Sequence, residues 1–150
     1  MSVNSDPARR ANLGAQLFRA ARAFDARVVR ELHEAGYPDI RAAHAAVFAR
    51  IRPEGSRVVE IAARAGMTKQ SMGELVDDLV AKGYLERVAD PSDGRARLVV
   101  LTERGRRHRE AALAIMAGIE RDYEARLGAE RFAVLRAALD ELAAIEDRGD

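Results

Sequence analysis

The stretch Ala65-Gly66-Met67-Thr68-Lys69-Gln70-Ser71-Met72 decides the fold. Gly66 tolerates the left-handed exit of a helix and Thr68 is an N-cap residue, so one helix ends and the next begins within about two residues. Upstream, Val58, Val59, Ile61, Ala62 and Ala65 spell a short apolar helix, with Ser56 as its expected cap. Downstream, Met72, Leu75, Val76, Leu79 and Val80 follow the i, i+3, i+4, i+7, i+8 spacing of a helix that stops at Gly83. Two helices joined by a tight glycine turn make a helix-turn-helix unit, whose second helix is the one that enters a DNA groove.

Beyond Gly83 the chemistry changes. Tyr84-Leu85-Glu86-Arg87-Val88 and Leu98-Val99-Val100-Leu101 read as two strands, with Asp90-Pro91-Ser92-Asp93-Gly94 as the turn between them. A lone hairpin is marginal in water, so this one should lean on the preceding helices as a wing. Before the unit, Ile40, Ala43, His44, Val47, Phe48 and Ile51 mark a second helix. Leu13, Leu17, Ala20, Phe24, Val28 and Leu32 mark a long first helix between Pro7 and Gly36. After the wing, Thr102 caps a fifth helix through Ile115, Ile119, Tyr123 and Leu127 that breaks at Gly128. Phe132, Leu135, Leu139, Leu142 and Ile145 form a sixth with coiled-coil spacing. The seams on helices one, five and six exceed what one small winged domain buries, and the excess reads as a dimer interface. The expected fold is mainly α with a small β-hairpin wing: a winged helix-turn-helix dimerising through its N- and C-terminal helices. A single domain, 1–150, would hold the DNA-binding lobe over 39–101 and dimerisation helices over 7–36 and 102–147.

Composition narrows the function. A chain of 150 residues with 48% hydrophobic and 33% charged side chains suits one globular domain. Its 25 Lys+Arg against 24 Asp+Glu leave +1, so an argument for a polyanionic partner must be local. Residues 1–49 carry 7 basic and 5 acidic side chains, 50–109 carry 13 and 9, and 110–150 carry 5 and 10. A basic middle with an acidic tail fits one face toward a polyanion and another toward water or a partner subunit, although scatter over solvated helix faces fits equally well. Without cysteine there is no disulfide, thiolate metal site or thiol sensor. His33, His44 and His108 are scattered, so neither metal nor cofactor is expected. No Ser/His/Asp grouping, paired-acid motif or phosphate loop supports an enzyme. The longest apolar run, 111–119, falls short of the ~20 residues of a bilayer span, and the start Met1-Ser2-Val3-Asn4-Ser5-Asp6-Pro7 lacks a secretory pattern. A cytoplasmic protein without membrane contact is expected.

The exposed start of helix four offers Thr68, Lys69, Gln70, Ser71 and, one turn on, Glu74. Gln pairs with adenine in a bidentate way, Lys favours guanine acceptors or phosphate, and the hydroxyls suit phosphate or either base; Thr68 also serves as a cap. In the wing, Arg95 follows a glycine turn that projects it toward a narrow minor groove, and Arg97 lies two residues on, on the same strand face. Arg104, Arg106, Arg107 and Arg109 crowd the start of helix five, where cations oppose the helix dipole unless DNA phosphates or acidic groups of a partner subunit offset them. Phe24, His44, Phe48 and Met116 could line a cleft for an aromatic acid, although core packing is the commoner fate of such residues.

Gly66-Met67-Thr68-Lys69-Gln70-Ser71-Met72, Leu75-Val76, Gly83-Tyr84-Leu85-Glu86-Arg87, Asp90-Pro91-Ser92-Asp93-Gly94-Arg95-Ala96 and Leu101-Thr102-Glu103-Arg104-Gly105 together resemble the MarR family of winged helix-turn-helix transcriptional regulators. The Asp-x-Arg wing tip at fixed distance from Leu-Thr-x-x-Gly is the most specific part. The resemblance covers residues 56–106, and the flanking helices match only in length and placement. It implies an obligate homodimer with two lobes reading double-stranded DNA. It also implies a cleft that takes a small aromatic or anionic effector, Arg57 near the DNA backbone, and Asp93 bracing Arg95. The resulting expectation is a ligand-responsive repressor on an inverted-repeat operator. Two rivals stay open: an enzyme or small-molecule carrier using the cleft between the lobes, and an architectural protein binding DNA without sequence choice.

Overall fold

The computed structural model describes residues 12–147, so Pro7 and the chain before Asn12 lie outside the described residues. The chain divides into two compact units, Met1–Ala112 and Leu113–Asp150. The first holds α1 (Leu13–Glu34), a 3-10 turn (Ala42–His44) running into α2 (Ala45–Phe48), α3 (Val58–Ala65), α4 (Lys69–Ala81), β1 (Leu85–Asp90), β2 (Asp93–Leu101) and the start of α5 (Glu103–Leu127). The second holds the rest of α5 and α6 (Ala129–Glu146). The boundary between the two compact units falls inside α5. The reason is packing: a Cβ on Gly105 would sit 2.1 Å from the Tyr84 carbonyl oxygen, and His108 is buried with the lobe's aromatic side chains.

The helix ends follow local chemistry. Asn12 caps α1 by accepting the Gly14 amide at 2.8 Å, and Thr68 caps α4 by accepting that of Ser71 at 3.1 Å. Gly66 takes φ 62°, ψ 31°, and Met67 donates back to Ala62 at 2.9 Å, closing α3 in a left-handed turn. Thr102 accepts the Gly105 amide at 3.1 Å and donates to the Gly83 carbonyl at 2.7 Å, tying the start of α5 to the end of α4.

α3 packs on α4, α4 on β1, and α2 on both helices. Ile61, Met72, Val76, Leu79, Tyr84 and Val99 have no exposed surface and form the heart of the lobe. Each large aliphatic side chain buried here contributes roughly 1.5–3 kcal/mol of transfer free energy.

Three elements depart from the sequence reading. The second helix is a 3-10 turn plus one α-turn, because Arg41 stays extended and the ring of His44 takes its amide at 3.0 Å. Pro53 then disfavours helical backbone at Arg52. Ser56 does not cap α3, whose N-cap is Arg57. It pairs instead with Val99 as a one-residue third strand, through Ser56 N–H to Val99 O at 3.0 Å and Val99 N–H to Ser56 O at 2.9 Å. Gly55 permits that approach at φ +100°, where a Cβ would lie 2.8 Å from Val100 Cγ1. The wing strands are longer than expected, pairing Leu85 with Leu101 through Asp90 with Asp93 and slipping register between Ala89 and Asp90.

Candidate nucleic-acid interface

The first turn of α4 projects Lys69, Gln70 and Ser71 into solvent, with Glu74 one turn on. The side chains of Lys69, Gln70 and Glu74 make no hydrogen bond or ion pair among the described residues. Thr68 and Ser71 are already linked, since Thr68 Oγ1 donates to Ser71 Oγ at 3.0 Å while accepting that residue's amide. Capping therefore occupies part of both hydroxyls. Four amide groups at a helix start plus a lysine make this end electropositive.

The wing tip is built differently from expectation. Asp93 does not pair with the Arg95 guanidinium; its Oδ1 takes the Arg95 amide at 3.2 Å, and its Oδ2 lies 3.5 Å from Arg57. The strong brace is Arg57 to Asp90, with Nε at 2.8 Å and Nη2 at 2.6 Å from one carboxylate oxygen. The other oxygen of Asp90 accepts the Ser92 amide at 2.9 Å and its hydroxyl at 2.7 Å. These Ser92 bonds and Arg57 bring the Asp90 carboxyl down to about 2, and Asp90 in turn raises the Arg57 guanidinium. The physical reason is reach: the strands extend to residues 90 and 93, so both aspartates face the α3 start, whereas Arg95 turns outward. Arg95 and Arg97 are exposed and unpaired among the described residues. Arg57 is half-buried and committed to the wing.

The flanks of α4 carry a network the sequence reading missed. Asp78 accepts Lys82 at 2.6 Å, Arg41 at 2.9 Å and His44 at 2.8 Å, which together hold its carboxyl well below the usual carboxylate range. His44 is fully buried, and with its Nδ1 taking the Arg41 amide, Nε2 carries the proton given to Asp78. Burial keeps that imidazole neutral by lowering its pKa. On the other flank Asp77 pairs with Arg87 of β1. The i, i+4 spacing of Asp78 and Lys82 was legible, but the approach of residues 41, 44 and 87 was not.

Three of the arginines at the start of α5, Arg104, Arg106 and Arg107, have partners within the chain. Glu103 accepts Arg106 at 3.1 Å and Arg107 at 3.0 Å, which lowers its pKa, and Arg106 also reaches the Leu101 carbonyl at 2.9 Å. Arg104 donates to the Lys82 carbonyl at 2.9 Å and the Tyr84 hydroxyl at 3.0 Å and lies 4.3 Å above that ring. Tyr84 in turn donates to Asp39 at 2.6 Å, and burial first, then Asp39, pushes its pKa up to about 12.

Of the residues expected to line an effector cleft, His44 has both ring nitrogens engaged. Phe48 stacks at 4.1 Å on His108. Phe24 lies half-buried on α1, and Met116 belongs to the second unit. His108 is 3% exposed, ringed also by Tyr37 at 5.2 Å and Tyr84 at 5.4 Å, and neither of its nitrogens has a hydrogen-bond partner. Burial, then the nearby His44, lowers its pKa to about 4. Its place in the polar run 103–110 hid this role from the sequence. Among the described residues no three His, Cys, Asp or Glu side chains group as metal ligands, and no helix is long and apolar enough to cross a membrane.

Residues 39–96 match the MarR family. No curated protein matches by sequence. Among solved structures, CouR from Rhodococcus jostii RHA1 bound to p-coumaroyl-CoA is 27% identical, covering 92% of this chain and 96% of its own with a TM-score of 0.70. The transcriptional repressor CouR bound to a 23-mer DNA duplex is 25% identical over 95% of this chain and 99% of its own, TM-score 0.70. A probable transcriptional regulator from Pseudomonas aeruginosa is 26% identical over 89% of this chain and 98% of its own, TM-score 0.71.

Proposed function

We propose that this chain is a transcriptional regulator of the MarR kind that binds duplex DNA and represses transcription until a ligand releases it, a reading supported by the match of residues 39–96 to the MarR family and by the winged helix-turn-helix fold. The observation that carries the DNA reading is the pair of unpartnered basic elements on one lobe. Lys69 and Gln70 stand at the exposed start of α4, and Arg95 and Arg97 at the exposed wing tip. In this reading α4 enters a major groove and Arg95 the adjoining minor groove, while Thr68, Ser71 and Arg57 serve as phosphate contacts beside their capping and bracing tasks. Asp93 orders the tip through the Arg95 amide.

The reading of a homodimer on an inverted repeat is supported by α6, whose Leu135, Leu139, Leu142 and Ile145 are exposed at coiled-coil spacing. Half-sites are then about one helical turn, ~10 bp, apart. The effector is read as a small aromatic or anionic molecule, because the CouR structure similar to this chain holds p-coumaroyl-CoA. The chain is placed with the DNA in the cytoplasm. Selecting bound fragments from random duplexes tests the function: recovery of a shared palindromic site supports it, and binding indifferent to sequence and to salt rejects it.

A further inference from the structure

α4 is gripped on two flanks. Neighbouring helix residues leave the axis about 100° apart, so Asp77 and Asp78 point to different sides, and in the same projection Gln70 and Glu74 fall in the sector between them. One aspartate is tied to the wing by Arg87 of β1. Its neighbour is tied to the 3-10 turn by Arg41 at 2.9 Å and His44 at 2.8 Å, and to its own helix by Lys82 at 2.6 Å. Underneath, Met72, Val76 and Leu79 are fully buried. Such apolar contacts are non-directional and hold the helix at its depth, whereas charge-assisted hydrogen bonds have narrow angular tolerance. A roll of about 20° at ~6 Å from the axis moves a side chain by about 2 Å, well outside the ~0.5 Å range of a hydrogen bond.

We propose that Asp77 and Asp78 are positioning residues for base selection: their ion pairs on either side of the exposed face fix the roll of α4 and hence which base edges Gln70 and Glu74 meet. The proposal rests on the reading of α4 as the base-reading helix. The wing enters through Arg87, so major-groove and minor-groove elements turn as one body.

The test compares affinity for a selected duplex with that for a random one, on the full chain, alongside thermal melting. Asp78→Asn and Arg87→Gln are each expected to lower the selected-over-random ratio at least about tenfold, with melting temperature and salt slope close to the parent. Arg87→Lys should retain the ratio. The two substitutions change local charge in opposite directions, so a fall in both cannot be electrostatic attraction for phosphate. If Asp78→Asn fails to fold, Arg87→Gln alone decides, its pair being on the surface. An unchanged ratio in the folded variants, or one that falls only together with melting temperature, overturns the proposal. Gln70→Ala separates the premise: if it too leaves the ratio unchanged, the reading of α4 fails and the proposal with it, whereas a loss in Gln70→Ala alone overturns only the positioning role.

Discussion

At the level of single residues, His108 is the side chain whose cost is most visible. Two buried ring nitrogens without partners forfeit hydrogen bonds that water supplies in the unfolded chain. His108→Leu is therefore expected to raise stability by about 1 kcal/mol at neutral pH, read from urea denaturation. The same group ties stability to pH. Its folded pKa, about 4, lies below the ordinary 6.5, so between those values the unfolded chain binds a proton that the folded chain refuses. Stability must then fall as pH drops from 6.5 toward 4, His44 acting in the same direction, and His108→Leu should flatten that part of the profile. At the interface the expectations differ by role. Gln70→Ala should relax sequence preference, whereas Arg95→Ala should weaken binding to all duplexes and reduce the salt slope by about one unit, measured by titration at several salt concentrations.

Among the elements, glycines in two helices have opposite meanings. In the first turn of α5, Gly105 lets the helix meet the Tyr84 carbonyl, where an added Cβ would lie 2.1 Å from the oxygen. Gly105→Ala must push α5 away from β1, at a cost of about 1–3 kcal/mol. In α4, a Cβ on Gly73 would meet nothing within 4 Å. Gly73→Ala should stabilise by about 0.5–1 kcal/mol through the lost freedom of the unfolded chain. Parallel denaturation of the two variants checks both signs. The wing shows a related logic, because its order comes from Arg57 at the start of α3 as much as from strand pairing. A hairpin of two strands needs such an outside anchor, and Asp90 at the end of β1 supplies the counter-charge.

For the molecule as a whole, the exposed apolar seam of α6 is the feature that a solitary chain leaves unexplained. Leu139→Glu combined with Leu142→Glu is expected to give a monomer by sedimentation and to weaken binding to a palindromic site far more than to a half-site, since two linked lobes gain from effective concentration. Much of this architecture was legible in the chain. Gly66, Thr68, Gly83, Thr102 and Gly128 punctuate the helices because caps and left-handed exits are local events, decided by a residue and its near neighbours. Apolar spacing likewise marked α3 and α4, and polarity marked the free ends Lys69, Gln70 and Arg95. What tertiary structure alone decided are the partnerships across long sequence distance. Arg57 closes on Asp90 in place of Asp93 on Arg95, His44 reaches Asp78, Ser56 becomes a strand, and His108 sinks among aromatic rings. Such choices depend on which backbone segments the packed core brings within about 3 Å of one another, a length that periodicity along the chain does not carry.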